Sequence, residues 1–392
     1  MTDSQAESRV YETLLFEQTA DGAKTETPFY ITDEARLTKN LEILRDVSVR
    51  AGCKILLAQK AFSMYALYPL IGRYLHGTAA SGPYEARLGY EEMCGEVHVF
   101  SPAYDEKYFG EICKYCTHII FNSFSQWKKY KDSALAAGAS CGLRINPEHS
   151  TGSHAVYDPC APGSRLGVTE KNFTPELLEG IEGLHFHTLC EQNADALAET
   201  LDAAEKKFGR HMRGMKWINM GGGHHITRDD YDTGLLIDCV KRVKKSYGLE
   251  VYLEPGEAVV LNAGFFVASV LDVVENEMSV AILDASAACH MPDVLEMPYR
   301  PVIIGAGGPG EKKYTYRLAG PTCLAGDVIG DYSFDAPLEA GVKIIFNDMA
   351  HYTMVKNNTF NGTPLPASLI KRAGGKIETV KQFGYEDFKR RV

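Results

Sequence analysis

The sequence predicts an α/β chain joined to a β domain: an eight-stranded (β/α)8 barrel of the TIM type, followed by an all-β domain. Three observations carry this prediction. Between Cys53 and Gly256, short apolar runs alternate eight times with segments of helical periodicity. After Gly264, strand-like runs follow one another without intervening helices, separated by Gly and Pro. Residues able to do chemistry also gather at the ends of the eight runs. A doubly wound open sheet is the alternative.

The elements follow in order. TPFYIT reads as a strand and DEARLTKNLEILRDVSVRAG as a helix. The barrel strands are then CKILLAQK (53–60), HGTAAS (76–81), EVHVFS (96–101), THIIFNS (117–123), SCGLRIN (140–146), GLHFHTL (183–189), KWINMG (216–221) and LEVYLEPG (249–256). PYEARLGYEEM, SQWKKYKDSALAAG, NADALAETLDAAEKKFG and YDTGLLIDCVKRVKKSYG supply helices between them. FFVASVLDVV, MSVAILDAS, YTYRLAG and KIIFND are the strands of the second domain. The expected division is a barrel over 33–262, with 1–32 and 263–392 forming a β-sandwich or β-barrel. The segment 148–166 is a long insertion.

Composition narrows the function. The 392 residues are 45% hydrophobic and 23% charged, ordinary values for a globular chain. A formal net charge of -10 argues against nucleic acid or an anionic membrane as partner. The opening MTDSQAESRV lacks the basic-then-apolar order of a signal peptide, and no apolar run reaches membrane-spanning length. The ten cysteines are scattered, which fits reduced thiols in the cytoplasm.

In such barrels the working face is the C-terminal end of the strands. Lys60, Ser81, Asn122, Arg144, Asn146, His187, Gly221 to His225 and Glu254 all fall there. Lys60 is either a lysine that snorkels to solvent or a Schiff-base lysine whose desolvated amine attacks carbonyls. In NMGGGHHITRDD, Gly221, Gly222 and Gly223 follow a strand, and their N–H groups could close on a phosphate. No Walker pattern is present. In EPGE, Glu254 is either a strand stop or a carboxylate set against a ring nitrogen, with Gly256 beside a phosphate. HFHTLCEQ places His185 and His187 on one side of a strand. His187 could cover a flat cofactor, fill the core, or join His224 and His225 at a metal.

Two motifs mislead. GASCG fits the G-x-S-x-G pattern, but a helix precedes it and a strand follows, the reverse of a nucleophile elbow. CKYC fits C-x-x-C but lies late in a helix, where packing explains it. In the second domain, GPTCLAGDVIGDY carries Cys323 and Asp327 in a Gly-rich loop, and FNDMAHYTMVKNNTFNG carries Tyr352 in a polar setting. Cys323 could equally be a small buried hydrophobe and Tyr352 a core aromatic.

LAQKAFS, YEARLG, SRLG, HFHTLCEQ, NMGGGHHITRDDYD, EPG, HMPDVLEMPYRP, GPTCLAGDVIGDY and FNDMAHYTMVKNNTFNG occur in this order from about residue 28 onward. Together they resemble the fold-type III pyridoxal-phosphate decarboxylases, the family of ornithine and diaminopimelate decarboxylases. The resemblance implies an alanine racemase-like fold and pyridoxal 5'-phosphate as cofactor. Lys60 would carry the cofactor, His187 would stack on its ring, and Glu254 would keep the ring nitrogen protonated. Gly221, Gly222, Gly223, Gly256 and Tyr352 would hold its phosphate. Cys323 would reprotonate the α-carbon after carbon dioxide leaves. The family draws this cysteine and the residue matching Asp327 from the other subunit, which implies a homodimer with shared active sites. Asp284, in ILDASAA, would face the substrate tail.

One departure points to the substrate. Diaminopimelate decarboxylases typically read EPGR, whereas this chain reads EPGE and has Leu324 where they place a glutamate after the cysteine. Glu257, with Asp327, would repel a distal acid and attract a distal amine. The expected substrate is a small carboxylated polyamine, carboxynorspermidine or carboxyspermidine, decarboxylated during norspermidine or spermidine synthesis. Another basic amino acid, such as diaminopimelate or ornithine, is the alternative. Alanine racemase would need a second base, a pyridoxal-phosphate carrier would be a lone barrel, and a metal hydrolase would use the histidines.

Overall fold

The computed structural model describes residues 26–152 and 158–392. Residues 1–25, expected in the β domain, and 153–157 of the 148–166 insertion lie outside the described residues. The chain divides into two compact units. One is Lys39–Val259; the other joins the described residues through Thr38 to Val260–Val392.

Strand β1 (Phe29–Asp33) belongs to the second unit. In the first, β2 (Lys54–Ala58), β3 (Gly77–Ala80), β4 (Glu96–Phe100), β5 (His118–Phe121), β6 (Ser140–Arg144), β7 (Gly183–His185), β8 (Trp217–Asn219) and β9 (Glu250–Leu253) form a closed barrel in sequence order. All eight lie within the stretches that apolar patterning marks. Every neighbour pair is parallel, and the ring closes where Lys54 meets Tyr252 and Ile55 meets Leu253. Parallel closure brings all the strand ends to one rim.

Leu56, Ile120, Trp217 and Tyr252 fill the barrel interior. The Trp217 indole fits only because its neighbours on adjacent strands lack side chains. A Cβ on Gly183 would stand 2.0 Å from Trp217 Cδ2, and one on Gly142 2.3 Å from its Cη2. Trp217 Nε1 donates to Ser140 Oγ at 2.8 Å, and that hydroxyl donates to Glu182 at 2.7 Å. Ser140 therefore opens β6 in a structural network, as the reversed context of GASCG requires. The N-terminal end of the barrel holds Lys54 between Glu96 and Glu250, at 2.5 and 3.0 Å. His98 and His118 stack beside them with ring centroids 3.9 Å apart.

Helices Pro83–Glu92, Glu106–Tyr115, Phe124–Ala136, Ala194–Met212 and Thr233–Tyr247 link strands of the barrel. Asp105, Ser123, Asn193 and Asp232 accept from backbone N–H groups at the starts of the last four, so their boundaries follow from capping chemistry. Two links depart from the strand–helix expectation. Between β2 and β3 lie only the 3-10 turn Tyr65–Leu67 and the short helix Tyr68–Ile71. Between β6 and β7, the described residues form only the 3-10 turns Glu170–Asn172 and Pro175–Leu177. Pro147, Pro159, Pro162 and Pro175 interrupt helix formation there.

In the second unit the strands are β10 (Gly264–Asn276), β11 (Met278–Leu283), β12 (Tyr314–Ala319), β13 (Val328–Phe334), β14 (Lys343–Asn347), β15 (Ala367–Lys371) and β16 (Ile377–Lys381). The sheet order is β13-β12-β11-β10-β1-β15-β16, with β14 also on β10. The register of β10 shifts between Val270 and Asp272. Before the shift it pairs with β1 and β14; from Val270 onward it pairs with β11. β1 shows why both faces of this sheet need cover: Phe29 and Ile31 enter one apolar cluster and Tyr30 another. Strands β13, β15 and β16 go beyond the sequence expectation. Half-exposed stretches such as VIGDYSF and IETVK lack the continuous apolar run of a buried strand. No helix among the described residues is long and apolar enough to cross a membrane.

The Gly183→Ala variant is expected to unfold at lower urea concentration, with a loss of about 1–3 kcal/mol from overpacking against Trp217. Chemical denaturation monitored by tryptophan fluorescence measures this.

Candidate active site

The β2 strand stops at Ala58, and Gln59 pins the turn that follows. Its backbone N donates to Ala79 O at 3.0 Å, and its buried amide donates to Glu85 O at 2.8 Å and accepts from Tyr68 at 3.1 Å. Lys60 is thereby held at the rim. Its side chain keeps solvent access, yet the surrounding barrel mouth desolvates the ammonium and lowers its pKa. Glu254 opposes that shift and Arg144 reinforces it.

Arg144 ends β6 and is buried. It donates to His187 O at 2.9 Å and lies over the Phe100 ring, 4.4 Å from the centroid. Burial lowers even this guanidinium to about 10. The sequence places Arg144 on the working rim but assigns it no role there.

His187 lies two residues beyond β7, half-buried. Its Nδ1 accepts from the Gly222 N–H at 2.8 Å, which leaves the ring proton on Nε2. Desolvation, followed by the charges of Lys60 and Arg144, puts its pKa well below the ordinary histidine value. A neutral, oriented ring results.

The glycine run is explained first by packing. A Cβ on Gly221 would stand 2.5 Å from Phe186 O, on Gly222 2.2 Å from Glu254 O, and on Gly223 2.0 Å from Leu189 O. Gly221 and Gly223 also have φ of +69° and +82°. The N–H of Gly221 donates to Asn219 Oδ1 and that of Gly222 to His187, both at 2.8 Å. Only the third N–H of the run, on Gly223, has no acceptor among the described residues. Gly256 is equally constrained: a Cβ there would stand 2.6 Å from the Cβ of Ala61, beside Lys60.

Glu254 follows β9. Asn219 donates to its Oε1 at 2.6 Å, and His185 Nε2 stands 3.4 Å from its Oε2. Burial opposes the charge, but His185 and Asn219 outweigh it and hold the carboxyl at about 2. His185 itself is buried, and that burial lowers its pKa while Glu254 raises it. Glu257 begins the turn after Pro255-Gly256, with its carboxylate 3.4 Å from His225 Nε2. His185 and His187 thus have separate partners. Among the described residues, the clusters able to hold a metal do not combine them with His224 or His225.

The remaining expected residues lie in the sheet unit. Cys323 is an exposed thiol whose backbone N–H donates to Asn361 Oδ1 at 3.2 Å. Asp327 is only 2% exposed. Its Oδ2 accepts from the Thr322 hydroxyl at 2.7 Å and its Oδ1 from the Ala288 N–H at 3.1 Å, so it braces the loop that carries Cys323. Asp284 accepts from Thr27 Oγ1 and from the Ser269 N–H, tying the start of the chain to β10. Tyr352 has φ of +43°, a conformation rare for a bulky residue and frequent at functional sites.

The barrel end therefore presents an amine of lowered pKa, an oriented neutral imidazole, an ionised carboxylate held by His185 and Asn219, and an unclaimed backbone N–H among the described residues. These residues fit pyridoxal phosphate, which needs an amine for its aldehyde, an anion for its protonated ring nitrogen and donors for its phosphate. Fold and site together define a pyridoxal-phosphate-dependent carboxy-lyase with a lysine-bearing barrel and a sheet domain.

Comparison with known proteins agrees. The family described as "Pyridoxal-dependent decarboxylase, C-terminal sheet domain" matches residues 28–350, and the chain belongs to it. A carboxynorspermidine/carboxyspermidine decarboxylase of Campylobacter jejuni is 44% identical, covering 93% of this chain and 98% of the relative. A carboxyaminopropylagmatine decarboxylase of Synechocystis sp. is 41% identical over 93% of this chain and 95% of its own. The crystal structure of the Campylobacter jejuni carboxynorspermidine decarboxylase with norspermidine superposes with a TM-score of 0.87 at 43% identity, over 94% of this chain and all of that one (100%).

Replacing Arg144 by Met removes a positive charge near Lys60. The lysine pKa is then expected to rise towards its ordinary value, so that amine reactivity appears only at higher pH. The pH dependence of pyridoxal-phosphate uptake by cofactor-stripped protein measures this, with Arg144→Lys restoring the wild-type profile. Glu254→Gln is expected to reduce kcat by on the order of 10²–10³-fold, as for loss of one oriented electrostatic partner. Steady-state kinetics at saturating cofactor is the check.

Proposed function

We propose that this protein decarboxylates carboxynorspermidine, carboxyspermidine or both, forming norspermidine or spermidine in polyamine synthesis. The observation that carries this reading is near full-length similarity to decarboxylases of carboxylated polyamines, combined with a glutamate in the EPGE turn. A carboxylate there favours a cationic tail over a second acid. The relative from Synechocystis sp. supports a second reading, carboxyaminopropylagmatine, whose tail is also cationic. Diaminopimelate and ornithine remain alternatives within the family, but solved diaminopimelate decarboxylases are only 15–20% identical and share the fold alone.

In this reading Lys60, His187, Glu254, the Gly221–Gly223 turn, Gly256 and Tyr352 hold pyridoxal phosphate. When bound, it supplies an electron-accepting ring for the pair released as carbon dioxide departs. Lys60 would hold the cofactor through its amine, whose charged form burial disfavours. Glu254, whose carboxyl stays ionised, would keep the ring nitrogen of the cofactor protonated. His187, in the tautomer set by Gly222, would face the cofactor ring. Cys323 delivers a proton from Sγ to the α-carbon, and Asp327 keeps the cysteine loop in shape. Asp327, Asp284 and Glu257 form the acidic surroundings of the tail. The cysteine loop comes from a second copy of the chain, so the working form is a homodimer with shared sites. A small polyamine as ligand, with no nucleic acid or membrane partner, suits the net charge of -10; ten free thiols suit the cytoplasm.

Carbon dioxide release is to be measured with carboxynorspermidine, carboxyspermidine, carboxyaminopropylagmatine, diaminopimelate and ornithine. The highest kcat/KM is expected on a carboxylated polyamine; a preference for diaminopimelate overturns the reading. Lys60→Ala is expected to abolish the visible band that borohydride quenches. Cys323→Ala should retain that band while turnover falls by about 10²–10⁴-fold, the usual scale for a lost proton donor.

A further inference from the structure

The loop that carries Cys323 is held partly from within and partly by a second loop. Within it, Gly320 N donates to Asp327 O at 2.8 Å and Asp327 N to Leu324 O at 2.9 Å, which closes the turn. At the cysteine itself the acceptor comes from elsewhere: the Cys323 N–H donates to Asn361 Oδ1 at 3.2 Å. That bond restrains rotation about the N–Cα bond of Cys323, one of the two soft backbone torsions that aim its side chain.

The loop bearing Asn361 is itself fixed. Asn358 Nδ2 donates to Ala288 O at 2.7 Å, its Oδ1 accepts from the Phe360 N–H at 3.0 Å, and its own N–H donates to Cys289 O at 2.8 Å. Arg391 Nη1 donates to Thr359 Oγ1 at 2.6 Å. Ala288 serves both loops, since its N–H donates to Asp327 and its O accepts from Asn358. Asn361 adopts φ of +59° inside the 3-10 turn Phe360–Gly362, a backbone region that asparagine enters more readily than most residues. Asn361 is exposed, so burial does not account for its geometry. Its contact with Cys323 does.

We propose that Asn361 is a positioning residue for the proton donor: it fixes the backbone of Cys323 and so the place from which Sγ delivers its proton. This rests on the decarboxylase reading above, in which Cys323 is that donor. Asp327 shapes the loop, and Asn361 sets the cysteine within it. Asn358 acts one step further back, by seating the Asn361 loop on Ala288.

The informative variant is Asn361→Gly, because glycine keeps a positive φ without strain while removing the acceptor. Hydrogen exchange at the Cys323 amide, followed by mass spectrometry on the cofactor-loaded enzyme, is expected to quicken about 2–10-fold, the worth of one neutral hydrogen bond. With the best carboxylated polyamine as substrate, kcat should fall about 10–100-fold, the scale of a reacting group misplaced by about 1 Å. KM and the urea midpoint should stay unchanged. Asn361→Asp keeps an oxygen acceptor and tolerates the same backbone, so it should recover most of both readouts. If Asn361→Gly lowers kcat only in step with the urea midpoint, or Asn361→Asp is as slow as Asn361→Gly, the positioning role is overturned. If Asn361→Gly retains wild-type kcat while Cys323→Ala loses turnover, the role is disproved and the functional reading stands. If wild-type enzyme turns over no carboxylated polyamine, or Cys323→Ala turns over normally, the functional reading of Cys323 fails and the role of Asn361 with it.

Discussion

Closure of eight parallel strands is the constraint on which the barrel unit depends. Once Lys54 pairs with Tyr252 and Ile55 with Leu253, the ring has no free edge. Each strand must then release its chain at the same rim. Segments as distant in sequence as Lys60, Arg144, His187, Gly222 and Glu254 follow from that single geometric fact. The opposite end is occupied by Lys54, Glu96, Glu250 and the stacked pair His98 and His118, which suits a stabilising role.

The rim works as a balance of charges rather than a set of separate residues. Arg144 and the barrel wall lower the pKa of Lys60, whereas Glu254 raises it. Glu254 stays ionised despite burial because His185 and Asn219 reach it and nearby imidazoles favour its charge. His187 is kept neutral, with its tautomer set by one backbone N–H. The glycine run joins both groups: Gly222 orients His187, and the absence of its side chain leaves room for Glu254 O.

The sheet unit presents its reactive thiol differently. Cys323 projects from a loop braced internally by Asp327, Thr322 and Ala288, and by Asn361 at the cysteine itself. A loop fixed from within can offer an exposed side chain in a defined place. Asp327 resembled a substrate contact in the sequence because it is an acid near the cysteine. Its hydrogen bonds to Thr322 and Ala288 also make it a brace of the loop, a role that spacing along the chain does not carry.

Much of the fold was legible because its physical basis is local. Apolar runs marked all eight barrel strands, since strands buried on both faces are continuously hydrophobic. Lys60, His187, Glu254 and the glycines were legible because strand ends on a closed rim must converge. The proline-rich link between β6 and β7 defeated the expectation of a helix, and β13, β15 and β16 escaped because half-exposed strands carry little apolar signal. Hydrogen-bond partners and burial were beyond the sequence altogether. The sequence by itself determined the barrel, the sheet domain and the rim residues, because periodicity and strand order are properties of the chain. Only the tertiary structure decided that Glu254 is ionised, that His187 is a neutral Nε2–H tautomer and that Asp327 braces the cysteine loop. Those depend on which groups fold together and exclude water, and no short segment contains both partners.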